Sequence, residues 1–257
     1  MRFDMAGPIA PTPIASLPTL PSGEVLKIKA PGLGIGLGGK LWPASATMCR
    51  FLRSESTTLA GKHVLELGCG CGAVGLYAAA LGAASVLLTD GGDDELLEVA
   101  AGNMGANHRL TGDAQVSVAS HSWAARDIVL PPRLDLVLGS DVTYARKSHD
   151  ALCRSIRWMM DERAPRVLLA HEHRSLLRAG GAAVDVANPL LAEGASSTDE
   201  VLLHLCDAAA SNGLTVSTLR SESRDGSVTE AQDGAATWTD HLIVRGEATS
   251  IFEVTLG

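Results

Sequence analysis

The chain has 257 residues, which suits one α/β domain with extensions and is enough to bury a sizeable core. Its formal net charge of −8 argues against a nucleic-acid backbone as main partner and weakly favours a basic protein or peptide. Aromatics are scarce, so each of the four tryptophans is a candidate for a special job, and the five cysteines, odd in number and without zinc spacing, point to a reducing compartment.

Residues Met1 to Ser22 are proline-rich and are expected to form a flexible segment. They lack the basic start and continuous apolar core of a secretory signal. A cytoplasmic or nuclear protein is therefore expected, with an organellar transit peptide left open. Glu24 to Lys29 alternates and predicts a small strand. Pro31 to Gly39 holds five glycines and predicts a mobile loop. It leads into Leu41-Trp42-Pro43-Ala44-Ser45, where Pro43 suits the first turn of a helix. Ala44, Met48, Phe51 and Leu52 share one face of that helix, which ends near Arg53.

The run Val64 to Leu76 then reads as strand, tight glycine loop and helix. Glycine lets such a loop take positive φ and lets a ligand lie against the backbone. The N–H groups of the loop and the first helical turn then face that ligand. A second strand, Ser85 to Thr89, ends in Asp90, 20 residues after Gly70, which puts a carboxylate within reach of a ribose hydroxyl pair. Gly70-x-Gly72-x-x-Gly75 also fits a dinucleotide fingerprint, so the glycines alone leave two cofactor classes open. Leu67 to Thr89 is uncharged, but five glycines interrupt it and its first residues form a loop, which rejects a membrane span.

Gly91 to Asp94 predicts a turn with acidic caps, and Leu96, Leu97, Ala100, Ala101 and Met104 stripe a helix ending near Asn107. Gln115 to Ser120 predicts a strand, followed by His121-Ser122-Trp123. Leu134 to Ser140 predicts another, ending in Ser140-Asp141-Val142-Thr143-Tyr144. A helix is expected from about Lys147 to Asp161, then a strand from Arg166 to Ala170. Gly180 to Ser197 reads as an insert or loop, Val201 to Ala209 as a helix stopped at Gly213, and Leu214 to Leu219 and His241 to Val244 as strands around a polar hairpin loop, Ser221 to Ala236.

Strands alternating with helices imply a doubly wound, mainly parallel α/β sheet, and two final strands joined without a helix imply an antiparallel last strand. Ligands in such sheets bind beyond the carboxyl ends of the strands. Gly68 to Gly72, Asp90, Trp123 and Ser140-Asp141 all fall at such ends. Residues 23–257 are expected to form a single domain.

Four segments, Leu41-Trp42-Pro43-Ala44, Glu66 to Gly72, Ser122-Trp123 and Asp141-Val142-Thr143-Tyr144, together resemble methyltransferase family 16. These are seven-β-strand, class I, S-adenosylmethionine (AdoMet)-dependent protein-lysine methyltransferases related to the methyltransferase-like 21 group. Glu66, two residues before the first glycine, favours AdoMet over a dinucleotide; Asp141-x-x-Tyr144 with the upstream Trp-Pro is the more specific part. The resemblance spans roughly Gly32 to His173. It implies a Rossmann-like fold and AdoMet contacts from Trp42, Glu66, Gly68, Gly70, Cys71, Gly72, Asp90, Trp123 and Ser140. It implies Asp141 and Tyr144 at the acceptor, a lysine side chain of a protein. No nucleic-acid or membrane partner is expected, and a monomer is. Ser122-Trp123-Ala124 lacks the acid and glycine that often flank this tryptophan. A small-molecule methyltransferase, a catalytically silent AdoMet-binding protein and a NAD(P)-binding Rossmann protein are the alternatives.

Trp158 and Trp238 read as packing residues. His171-Glu172-His173 puts two histidines on one face, but no third ligand is visible, so no metal is expected. No histidine–acid partner for a serine or cysteine nucleophile is evident in sequence.

Overall fold

The computed structural model describes residues 16–55, 59–91, 94–173, 175–178, 183–185, 197–223, 227–230, 243–244 and 247–257. Most of residues 1–22, the stretch 186–196 and Trp238 therefore lie outside the described residues, and so do the expectations placed on them.

Five strands, β1 (His63–Leu67), β2 (Ser85–Asp90), β3 (Gln115–Ser120), β4 (Leu136–Ser140) and β5 (Arg166–Glu172), pair in parallel in the order β5-β4-β1-β2-β3. Chain order reverses between β1 and β4, and a crevice opens beyond their carboxyl ends. Alternation along β1 assigns its faces. Val64 joins a core with helices α1 (Pro43–Ser54), α2 (Ala73–Ala80) and α3 (Asp94–Thr111). Leu65 and Leu67 join the opposite core with α4 (His149–Arg163) and α5 (Glu200–Ser211). Each core is closed by large aliphatics, such as Met48, Leu52 and Leu76 on one face and Leu152, Ile156 and Met159 on the other.

The C-terminal half departs from expectation. The antiparallel last strand of the large sheet is not Ile243–Val244, the described part of the expected His241–Val244, which pairs antiparallel in a second sheet. It is Glu247–Leu256, which lies between β5 and β9 (Leu214–Ser223) and pairs antiparallel with both. A short strand, β10 (Val228–Glu230), adds an eighth member at the edge beside β9, within the expected polar loop. A second, four-stranded sheet holds β6 (Ser175–Arg178), β7 (Ala183–Asp185), β8 (Ser197–Asp199) and β11 (Ile243–Val244). The final strand is thus β12. Glu24–Lys29 is extended but unpaired as a strand. The Asn103 and Asn107 side chains of α3 take its backbone instead, each bonding both N–H and C=O of one residue, Lys29 and Lys27. Two 3-10 turns, Leu33–Ile35 and Leu37–Gly39, order the glycine segment that follows.

Among the described residues no helix is long and apolar enough to cross a membrane.

Candidate active site

A cavity of about 410 Å³ occupies the crevice. Its size falls within the usual range for a small-ligand site. Ten of the eleven site residues expected from sequence line it: Trp42, Glu66, Gly68, Gly70, Cys71, Asp90, Trp123, Ser140, Asp141 and Tyr144. The eleventh, Gly72, does not; it caps α2 in a left-handed conformation.

The glycine loop leaves β1 and packs on the segment before α1. Gly70 has φ +51, and a Cβ there would meet the Gly38 carbonyl oxygen at 2.7 Å, so only glycine lets the two backbones approach. The Cys71 thiol donates to that same carbonyl at 3.2 Å, and the Asn103 amide donates to the Cys71 carbonyl at 2.9 Å. Asp90 Oδ2 accepts the Gly70 N–H at 2.9 Å, tying the end of β2 to the loop. Burial pushes the Cys71 thiol up to about 11, with Glu66 and Asp90 adding to the effect, so it stays neutral.

Glu66 is placed differently from expectation. It borders the cavity, but its carboxyl turns beneath the loop, where Oε2 accepts the Gly75 N–H at 2.7 Å. Burial raises its pKa to about 8; the Gly75 amide offsets this in part and Asp90 adds to it. Its role in the geometry is to anchor the loop to the first turn of α2.

Trp123 follows β3. Asp127 accepts the Ser122 N–H at 3.1 Å and Ser155 Oγ accepts the Ala124 N–H at 2.8 Å, so both flanks of the tryptophan are pinned. Ala124 takes φ +67 there. His121 lies 2.5 Å from Asp127 and 3.5 Å from Ser155 Oγ, an aligned serine, histidine and acid that sequence did not reveal. Ser155 is 1% exposed and already occupied by the Ala124 amide, so the set braces the loop.

At the end of β4, Asp141 adopts φ +57 and is buried, while Tyr144 is 45% exposed at the rim. The Asp141 N–H donates to the Ala170 carbonyl of β5 at 2.9 Å. Trp42 caps α1 from outside, its indole N–H donating to Leu37 O at 3.0 Å under the Lys40 ammonium, 4.5 Å from the ring centroid.

Sequence reasoning missed Ile35, Leu37, Ser45 and Leu96, which also line the cavity. Ser45 bonds Ser140 at 3.0 Å. The signal for the first two was the dense glycine run of residues 31–39; nothing marked Leu96 apart from its helical stripe. Asp199 was missed as well. It gives His171 and His173 the third neighbour that sequence did not show, and the three donor atoms lie within 4.8 Å of one another. Each is engaged in the protein: Asp199 Oδ2 accepts from both imidazoles at 2.9 Å.

Residues 21–179, well over half of the chain, match methyltransferase family 16, described as lysine methyltransferase. The protein N-lysine methyltransferase METTL21A of Danio rerio is 33% identical over 123 residues, 48% of this chain and 55% of that protein. The EEF1A lysine methyltransferase 3 of Mus musculus is 34% identical over 126 residues, 49% of this chain and 52% of that protein. The chain thus spans about half the length of the curated relatives it matches. In fold, it is similar to the crystal structure of the ribosomal protein L11 methylase from Lactobacillus delbrueckii subsp. bulgaricus (TM-score 0.52, 14% identity, 93% of this chain and 88% of that one).

Proposed function

Because the chain belongs to methyltransferase family 16, the lysine methyltransferases, we propose that it transfers a methyl group from AdoMet to the ε-amine of a lysine in a protein. One observation carries the reading: the glycine loop after β1, Asp90 after β2, Trp123 after β3 and Asp141 to Tyr144 after β4 border a single cavity. The cofactor fits the residues present. The loop is packed so closely at Gly70 that backbone, not side chain, faces the cavity, and Asp90 presents a carboxylate beside it. AdoMet supplies an electrophilic sulfonium methyl.

On this reading Asp90 accepts ribose hydroxyls, Gly68, Gly70 and Cys71 cradle the cofactor, and Trp123 and Trp42 cover its two ends. Gly72 and Glu66 act through the loop. The attacking amine has to be neutral. Free lysine has a pKa near ~10.4, so deprotonation at neutral pH costs roughly 4–5 kcal/mol. A narrow apolar entry lowers that cost by desolvation; Leu37, Val142 and the Tyr144 ring supply such walls. A carboxylate beside the amine stabilises the ammonium, so Asp141 binds and aims the incoming lysine, and water removes the proton. Tyr144 forms one wall and offers a hydroxyl. Residues 23–257 are proposed to act as one methyltransferase domain and as a monomer. Free cysteines and an acidic surface support a cytoplasmic or nuclear setting without nucleic acid or membrane as partner.

The test is incubation with methyl-labelled AdoMet and a size-fractionated extract of source cells. Label in protein that acid hydrolysis returns as methyl-lysine supports the reading. Label confined to small molecules, or none with intact AdoMet binding, overturns the acceptor. Calorimetry in which NADH binds and AdoMet does not would overturn the cofactor.

A further inference from the structure

Thr143 lies between the two acceptor-side residues, Asp141 and Tyr144, but does not face the cavity. It is 0% exposed, and two histidines from different elements hold it. From the first turn of α4, His149 Nε2 lies 2.8 Å from the Thr143 carbonyl oxygen, an acceptor, so the imidazole donates. From β5, His171 Nδ1 lies 2.7 Å from the Thr143 hydroxyl.

Asp199 ties the two histidines of β5 and its C-terminal edge to the start of α5. Asp199 Oδ1 accepts the Val201 and Leu202 N–H groups at the start of α5. Oδ2 accepts His171 Nε2–H and His173 Nδ1–H. Burial alone would raise the Asp199 carboxyl; hydrogen bonds and charge from the two histidines outweigh it and hold the group well below the usual carboxylate range. An ionised Asp199 only accepts, so each imidazole donates to it through one nitrogen and turns the other outward. That outward nitrogen of His171, Nδ1, bonds the Thr143 hydroxyl at 2.7 Å. His173 Nε2 bonds Ser250 Oγ at 2.9 Å, and Ser250 Oγ bonds Ser221 Oγ at 2.8 Å. On the other arm, burial lowers the His149 pKa, and its Nδ1 accepts from His204 Nδ1–H at 3.1 Å. The mid-point of the Asp141–Tyr144 loop is thereby gripped by carbonyl and hydroxyl at once.

We propose that Thr143, His171 and Asp199 are positioning residues for methyl transfer, with the Thr143 hydroxyl–His171–Asp199 chain holding Asp141 and Tyr144 at the acceptor end of the cavity. The proposal rests on the acceptor-site reading of those two residues. Asp141 needs such support because it sits at φ +57, a conformation a non-glycine residue keeps only where its surroundings enforce it. Val142 carries the same restraint inward, since its Cγ1 would lie 2.7 Å from a Cβ on Gly68.

The test compares Thr143→Val, which keeps shape and loses the hydroxyl, with Thr143→Ser, which keeps the hydroxyl, and with Asp199→Asn. Amide hydrogen exchange of residues 141–146 is read without any substrate; AdoMet affinity is read by calorimetry. Transfer of labelled methyl to extract protein gives rate and acceptor saturation separately. Thr143→Val should speed exchange of residues 141–146 at least tenfold and cut the limiting transfer rate at least tenfold. AdoMet affinity and acceptor KM should stay within threefold. Thr143→Ser should return both to within threefold of the parent, and Asp199→Asn should follow Thr143→Val. Unchanged exchange in Thr143→Val, a Thr143→Ser no better than Thr143→Val, or a proportionate loss of AdoMet affinity overturns the proposal. If the parent labels no protein, the acceptor reading fails on its own, and the exchange comparison still decides whether the chain holds the loop.

Discussion

Glu66 and Asp199 are both sealed from solvent, at 2% and 0% exposure, yet their ionisation runs in opposite directions. Glu66, under the glycine loop, accepts the Gly75 amide, and burial pushes it up to about 8. Asp199, behind the acceptor loop, accepts two imidazoles and two amides and stays ionised far into acid. The number of donors aimed at a buried carboxyl decides its charge. One side of the cavity thus rests on a neutral acid and close backbone packing, the other on an ionised acid that orders histidines.

The largest test of this contrast is pH. Glu66 keeps its proton in the fold up to about 8, whereas the unfolded chain loses it near 4.5. Stability from this group is therefore complete below 4.5 and is lost as pH rises toward and through 8, by an amount on the order of 5 kcal/mol. Thermal midpoints between pH 5 and 9 should fall in the parent and stay level in Glu66→Gln, which keeps an amide oxygen for Gly75. On the acid side the sign reverses. His149 has a lowered pKa, so its contribution is present above 6.5 and shrinks as pH drops below that value. Asp199 likewise contributes above its ordinary 3.8 and loses that contribution only in stronger acid. A parallel loss in Glu66→Gln at alkaline pH would break the comparison.

Next in size is Asp141→Asn, expected to lower methyl transfer about 100-fold, or ~2.7 kcal/mol, with AdoMet Kd within threefold. Asparagine is the informative choice, because it tolerates the left-handed backbone that alanine would strain. Tyr144→Phe should cost about tenfold. Loss of cofactor binding in Asp141→Asn would move that residue to the other side of the cavity. Asp90→Ala should do the converse and weaken AdoMet by roughly 10- to 150-fold in calorimetry, the ~1.5–3 kcal/mol of a charge-assisted hydrogen bond. The smallest effect is Gly75→Ala. Inside a helix alanine gains about 1 kcal/mol over glycine. Here its Cβ would meet Leu88 Cδ2 at 2.3 Å and Glu66 Oε2 at 2.7 Å, so the thermal midpoint should fall by a few degrees. A rise would show that Glu66 does not need the close approach.

The parallel half of the sheet was legible because its strands are short apolar or alternating runs between clear breaks: Ser85 to Asp90 and Gln115 to Ser120 came out within a residue, and the cavity residues followed from strand ends. β12 was not legible. Its first half, with Thr249 and Ser250, looks exposed, yet both are buried by bonds to Thr47 and to His173 and Ser221. Polar residues satisfied by distant partners carry no periodic signal. Asp199 was hidden for the same reason, since its imidazole partners lie 26 and 28 residues away. Glu24–Lys29 misled in the opposite way: it alternates like a strand, but its backbone partners are asparagine side chains.

The place of β12 bears on how the molecule is made. A ribosome releases β5 and β9 before Glu247–Leu256, so during synthesis the sheet carries a vacant lane one strand wide between two exposed ladders. Unpaired ladders of that kind recruit any extended chain nearby. The strand that fills the lane also brings Thr249 to Thr47 of α1 and Ser250 to His173 of the histidine pair behind the acceptor loop. Nascent chains halted before residue 247 should therefore engage chaperones and fail to retain AdoMet, and both traits should reverse together once the last strand emerges.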